Sequence, residues 1–140
     1  MRLDDCLNYL LTTTKHSVFR QLAEKLDAYD ITPVQYEVLC CLWEKGQQKP
    51  KEIADYLHIE ASTVSGVLSR MENKGLIERR LNTENRRTII VSMTPKSMML
   101  RPDIMRAVSE ANCEVMSAFT EKEKIELKMC LQVLTKVNEA

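Results

Sequence analysis

The sequence predicts a mainly α protein with one small β-hairpin, and three observations predict it. Apolar residues recur every three or four positions through six separate stretches. One pair of short segments rich in β-branched residues flanks a polar tip. Proline, glycine and hydroxyl residues stand where helices start and stop. At 140 residues the chain has room for one compact domain, or for a small module plus the helices that pair it with a second copy.

Leu3, Leu7, Leu10, Leu11, Val18, Leu22 and Leu26 carry the helical period, so residues 3–29 read as one long helix. Thr32-Pro33-Val34-Gln35 marks a new start, with threonine as N-cap, proline in the first turn and glutamine reaching back to close a capping box. This second helix runs to about Gly46, where glycine permits a left-handed terminator. Lys49-Pro50-Lys51-Glu52 opens a short third helix with Ile53, Ala54 and Leu57 on one face. A fourth covers residues 61–74 and stops at Gly75. Residues 76–81 and 88–93 read as strands around the tip at residues 82–87. Thr94-Pro95 repeats the start signature for a fifth helix reaching about Ala118, with Leu100, Ile104, Val108, Ala111, Val115 and Phe119 on a stripe. Pro102 is expected to bend that helix or delay its regular start. Thr120 and Glu123 form another capping box, opening a last helix with Leu127, Leu131, Leu134 and Val137.

Several function classes fall away. The start of the chain carries Asp4 and Asp5 where a secretory signal needs basic and then apolar residues, so no export is expected. The longest apolar run, residues 38–43, is far below the roughly 20 residues that cross a bilayer, and no membrane partner is expected. Five cysteines, an odd number with no CxxC pair, argue against a secreted disulfide scaffold and for a reducing cytoplasm. His16 and His58 stand at no metal-ligand spacing, so no metal is assigned, and no cofactor either. No nucleophile, base and orienter assemble, and with three glycines there is no phosphate-cradling loop; the chain is not expected to be an enzyme. The net charge is zero, yet residues 61–93 hold six basic against three acidic side chains, the one basic block in the chain.

That block contains the informative helix. At 100° per residue, Val64, Val67, Leu68 and Met71 cluster on one side of it. The other side carries Ser62, Gly66, Ser69 and Asn73, with Ser65 and Arg70 on the flanks. A surface helix ordinarily fills its outer face with lysine and glutamate; short hydroxyls and a glycine lower helix propensity. Two roles suit such a face: lying deep in a DNA major groove, where hydroxyls reach phosphates or base edges, or packing closely against another helix. The hairpin that follows, with Arg79, Arg80, Arg86 and Arg87 on its arms and tip, is suited to the DNA backbone or minor groove. Helix, turn, reading helix and basic wing in that order make a winged helix-turn-helix, here with helices before and after it.

Residues 31–95 resemble the MarR family of bacterial regulators. The resemblance is carried by Ile31-Thr32-Pro33-Val34-Gln35-Tyr36, Glu52-Ile53-Ala54-Asp55-Tyr56-Leu57, Ser62-Thr63-Val64-Ser65, Arg70-Met71-Glu72-Asn73-Lys74-Gly75-Leu76-Ile77, Glu84-Asn85-Arg86-Arg87 and Val91-Ser92-Met93-Thr94-Pro95. It implies a winged helix-turn-helix DNA-binding domain over residues 31–94 and a helical dimerisation domain from residues 1–30 and 95–140. It further implies a homodimer acting as a repressor on a pseudo-palindromic double-stranded DNA operator, released by an unknown small-molecule effector or by an oxidant. Ser62, Thr63, Ser65, Gly66, Ser69, Arg70 and Asn73 would face the major groove; Arg86, with Arg87 beside it, would read from the wing tip. The chain departs from the family in two places. Asn82 and Asn85 stand where wing aspartates are common, removing an ion pair that orients the arginine, and Glu60 stands where the reading helix usually has a serine cap.

Cys6 lies near the position where the peroxide-sensing branch of that family keeps its reactive cysteine, and is carried as a possible redox sensor against a small apolar role in the dimer core. The expected position falls nearer Leu7 or Asn8, and Pro33 replaces a tyrosine typical of that branch. Cys40 and Cys41 sit mid-helix between leucines and read as core. Met98 and Met99 either line an adaptable ligand cavity or fill gaps. The alternative from another class is a winged-helix protein-interaction module, which has no need of a basic wing.

Overall fold

A computed structural model describes residues 1–137; residues 138–140, the end of the expected dimerisation region, lie outside the described residues. The mainly α fold with a hairpin is borne out: α1 (Leu7–Leu26), α2 (Pro33–Lys45), α3 (Pro50–Leu57), α4 (Ala61–Asn73), β1 (Ile77–Leu81), β2 (Ile89–Met93), α5 (Pro95–Val115) and α6 (Glu121–Thr135) follow one another in the expected order.

The leading helix is shorter than its period predicts. Leu3–Asp5 form a separate 3-10 turn, in which the Asp5 carboxylate accepts the Arg2 N–H at 3.4 Å, and Cys6 is extended. Its far end tightens into a second 3-10 turn, Asp27–Tyr29, and Asp30 stops it in the left-handed region at φ 54°. Apolar periodicity registers neither local event. α5 likewise ends at Val115 rather than near Ala118, because Ser117 Oγ donates back to the Glu114 carbonyl at 2.9 Å and the chain turns toward Thr120. Pro102 lies inside α5, which starts regularly at Pro95, so the expected delay does not occur. On its stripe Ile104, Val108 and Ala111 are buried, whereas Phe119 is exposed.

The three threonine starts form as expected. The hydroxyls of Thr32, Thr94 and Thr120 accept the N–H groups of Gln35, Ser97 and Glu123, each side chain three residues on returning the bond. Between α3 and α4 the tight turn is made by His58 at φ 56°, a left-handed conformation that histidine tolerates better than most residues.

The core lies between α2, α3, α4 and the hairpin. Leu39, Leu42, Ile53, Val64, Leu68, Met71, Leu76, Ile77 and Val91 are buried there, with Leu26 of α1 and Ile104 of α5 closing one side. Full burial of each such side chain contributes about 1.5–3 kcal/mol relative to exposure. The hairpin pairs Ile77 with Met93, Arg79 with Val91 and Leu81 with Ile89, and Gln48 adds a bridge to Val91 that ties the wing to the loop before α3. No residue of α6 is buried within the single chain.

Candidate nucleic-acid interface

The inner face of α4 is as the sequence predicts, with Val64, Val67, Leu68 and Met71 between 0% and 2% exposed. Those anchors turn the opposite face outward. Ser62, Thr63, Ser65, Arg70 and Asn73 are exposed, and Gly66 and Ser69 are half-buried. Gly66 is the floor of this face: a β-carbon there would sit 3.6 Å from Arg70 Nη1, so the arginine lies back over the glycine one turn earlier. Glu60 is the N-cap of α4 but provides no side-chain bond. The first N–H groups of the helix thus keep their donors for an outside acceptor, the arrangement that favours an anion.

The wing tip is built by its two asparagines. Asn82 Oδ1 accepts the Glu84 N–H and Asn85 Oδ1 the Arg87 N–H, both at 3.1 Å. The absent ion pair is thereby replaced by two Asx turns, which fix the main chain without engaging an arginine. Arg86 and Arg87 are exposed, and among the described residues neither guanidinium has a hydrogen bond or ion pair.

Arg79 and Arg80, on the arm of the hairpin, are engaged within the fold. Glu72 Oε2 accepts the Arg79 main-chain N–H at 2.9 Å and Glu72 Oε1 accepts its guanidinium at 3.1 Å, clamping α4 to β1. Those two bonds, the guanidinium's first, hold the Glu72 carboxyl below the usual glutamate range. Arg80 is paired with Glu78. Of the cations from α4 to the end of the hairpin, Arg70 on the helix and Arg86 and Arg87 on the wing have no ion pair or hydrogen bond among the described residues.

Sequence reasoning missed what holds the far end of α4. Lys74 reaches Gln35 and the main chain of Asp30, Lys96 Nζ donates to the Lys74 carbonyl, and Thr94 Oγ1 donates to the Gly75 carbonyl at 2.6 Å. Gln35 and Thr94 were visible as capping residues, but their partners lie tens of residues away.

Other expected features are placed elsewhere. Met98 and Met99 are exposed. A cleft of about 370 Å³ between α2, α5 and α6 is instead lined by Tyr36, Met105, Val108 and Met116, with Lys124 at its edge. Burial raises the Cys40 and Cys41 thiol pKa values, which disfavours the reactive thiolate. Cys6 is half-buried at the N-cap of α1. Among the described residues no His, Cys, Asp and Glu side chains group so as to hold a metal, and no helix is long and apolar enough to cross a membrane.

The arrangement of helices, hairpin and open cations has relatives. A MarR family model matches residues 31–89. The chain is 32% identical over 101 residues to the organic hydroperoxide resistance transcriptional regulator of Bacillus subtilis, spanning 72% of this chain and 69% of that protein. The chain belongs to the MarR family. It is 30% identical over 106 residues to the HTH-type transcriptional regulator MgrA of Staphylococcus aureus, spanning 75% of this chain and 72% of that protein. A probable transcriptional regulator from Pseudomonas aeruginosa superposes with a TM-score of 0.90 at 25% identity, covering 95% of this chain and 99% of that one. A cysteine mutant of MarR from E. coli complexed with operator DNA superposes with a TM-score of 0.85 at 25% identity, covering 91% of this chain and 92% of that one. MarR proteins are transcriptional regulators, and this member is a regulator rather than an enzyme.

Proposed function

We propose that this MarR-family chain represses transcription as a cytoplasmic homodimer that binds a pseudo-palindromic duplex and leaves it when a small molecule binds. Residues 31–94 would bind DNA; residues 1–30 and 95–140 would pair the two copies. The observation that carries the reading is the outward face of α4. It carries hydroxyls, a glycine and uncapped N–H groups with Arg70 lying over Gly66, and the hairpin that follows it carries Arg86 and Arg87; these three cations have no carboxylate partner among the described residues. Hydroxyls and main-chain N–H groups fix register on phosphates, while Arg70 and Asn73 are long enough to reach base edges. Arg86 would enter the minor groove, where its negative potential attracts arginine. The superposition on a MarR protein complexed with operator DNA supports DNA as the partner.

A second copy is supported by what the chain leaves uncovered. Leu7, Leu10 and Leu11 on α1 and Leu127, Leu131 and Leu134 on α6 are between 36% and 53% exposed. Apolar faces of that extent belong in an interface. The effector would use the cleft beside Tyr36, whose largely apolar walls suit an aromatic or aliphatic body, the Lys124 ammonium at this cleft being already paired with Glu121 at 2.8 Å.

The test is an electrophoretic shift on duplexes selected from a random pool, repeated across salt concentrations. Binding that weakens steeply with salt, at two chains per duplex, is expected. Absence of any shift removes the DNA reading and leaves the protein-interaction module in its place.

A second reading adds a redox trigger at Cys6. It rests on the position of that half-buried thiol at the start of α1 and on the relative that is a hydroperoxide-resistance regulator. Organic hydroperoxide should then abolish the shift in the unsubstituted protein and spare Cys6→Ser. Equal behaviour of the two proteins ends that reading.

A further inference from the structure

The C-terminal end of α4 is fixed by groups from three parts of the chain that meet at one residue. Lys74 Nζ donates to the Asp30 carbonyl at 2.7 Å and to Gln35 Oε1 at 3.1 Å, and stands 3.5 Å from Asp30 Oδ1. Asp30 is the left-handed residue that ends the turn after α1, and Gln35 is 2% exposed with Oε1 also accepting the Thr32 N–H. The main chain of Lys74 faces the other way, its carbonyl accepting Lys96 Nζ at 2.7 Å from the first turn of α5. One residue therefore joins α4 to the end of α1 through its side chain and to the start of α5 through its backbone.

We propose that Lys74 is a positioning residue: it sets the angle of α4 against α1 and α5, and so the half-site spacing that the dimer accepts, without touching DNA. The proposal rests on the DNA-reading dimer proposed above. A lysine beside a reading helix can alternatively neutralise a phosphate. An ammonium has three donors, and here three oxygens already surround them, with the side chain 27% exposed. From α4 to the end of the hairpin, the cations without a partner among the described residues are Arg70, Arg86 and Arg87 instead. Leverage makes the angle matter. With 13 residues α4 is about 20 Å long, so a tilt of about 10° about its C-terminal end moves the other end by about 3.5 Å, close to one base-pair step.

The experiment uses Lys74→Met, which keeps the aliphatic stem, on duplexes selected by the unsubstituted protein. The spacing between half-sites is changed by one and two base pairs in each direction. The unsubstituted dimer should prefer its own spacing by roughly tenfold, and Lys74→Met should reduce that preference to about twofold with the salt slope unchanged. Lys74→Arg, able to reach the same oxygens, should restore it. Lys96→Met, which removes the backbone-side bond and leaves the buried Gln35 contact alone, should flatten the profile in the same way. It decides the matter should Lys74→Met unfold, as followed by the fluorescence of Trp43, the one tryptophan of the chain. An unaltered spacing profile in these variants overturns the proposal, and so does a salt slope lowered by about 0.9 per chain, the mark of a lost phosphate contact. Failure of the unsubstituted protein to select any duplex instead defeats the DNA reading itself.

Discussion

Arg86 stands on a tip whose shape is made by Asn82 and Asn85, so its removal takes a guanidinium from the surface and nothing from the fold. Arg86→Ala should cost about 1–3 kcal/mol of affinity for a selected duplex and leave the melting temperature within a degree or two; an unchanged dissociation constant at matched salt would contradict its role. Gly66 gives the opposite balance. Mid-helix glycine is about 1 kcal/mol less favourable than alanine, and the added methyl would meet only the flexible Arg70 guanidinium. Gly66→Ala should therefore stabilise the protein by about 0.5–1 kcal/mol in denaturant unfolding. Gly66→Leu should fold as well yet lose DNA binding, because its bulk holds the helix away from the groove. Selection for stability alone would not have kept glycine there.

At the scale of the element, the clamp between α4 and β1 makes a pH prediction. The Glu72 carboxyl lies below its ordinary value because Arg79 bonds it through both guanidinium and main-chain N–H. A depressed carboxyl stabilises the folded state above its unfolded pKa and loses that contribution as pH falls through the folded one. The stability advantage of the unsubstituted protein over Glu72→Gln should thus be constant near neutrality and shrink below about pH 4.3, as read from urea midpoints at stepped pH. An advantage that grows on acidification would refute the clamp. The same pair shows what was legible in the sequence. Thr32, Thr94 and Thr120 could be read as caps because their partners lie three residues away, and the inner face of α4 because apolar period dictates burial. Arg79 looked like one more wing arginine because its glutamate lies across the turn at Gly75. Lys74 meets an oxygen 44 residues distant. No local pattern encodes such a pairing; it exists only once α1, α2 and α4 have packed.

For the whole molecule, the single chain accounts for the core and leaves its outer helices unfinished. No residue of α6 is fully buried within the single chain, and Leu131 on it is 42% exposed. Leu131→Glu should convert a dimer to a monomer in sedimentation equilibrium and abolish binding to a two-half-site duplex. It should preserve the melting of the α2 to β2 core, which does not include α6. A protein that sediments as a monomer before substitution would remove the dimer from the account. The sequence expectation of paired helices at both ends came from family resemblance, since period marks an apolar face but does not say what covers it.

The most direct measurement of the central claim is photo-crosslinking from a reactive side chain incorporated at Ser65, on the exposed face of α4, with Tyr56 on α3 as the control. The account predicts covalent attachment from position 65 to bases in both half-sites of a selected duplex, and little or none from position 56. Attachment from position 65 to protein instead of DNA would contradict it.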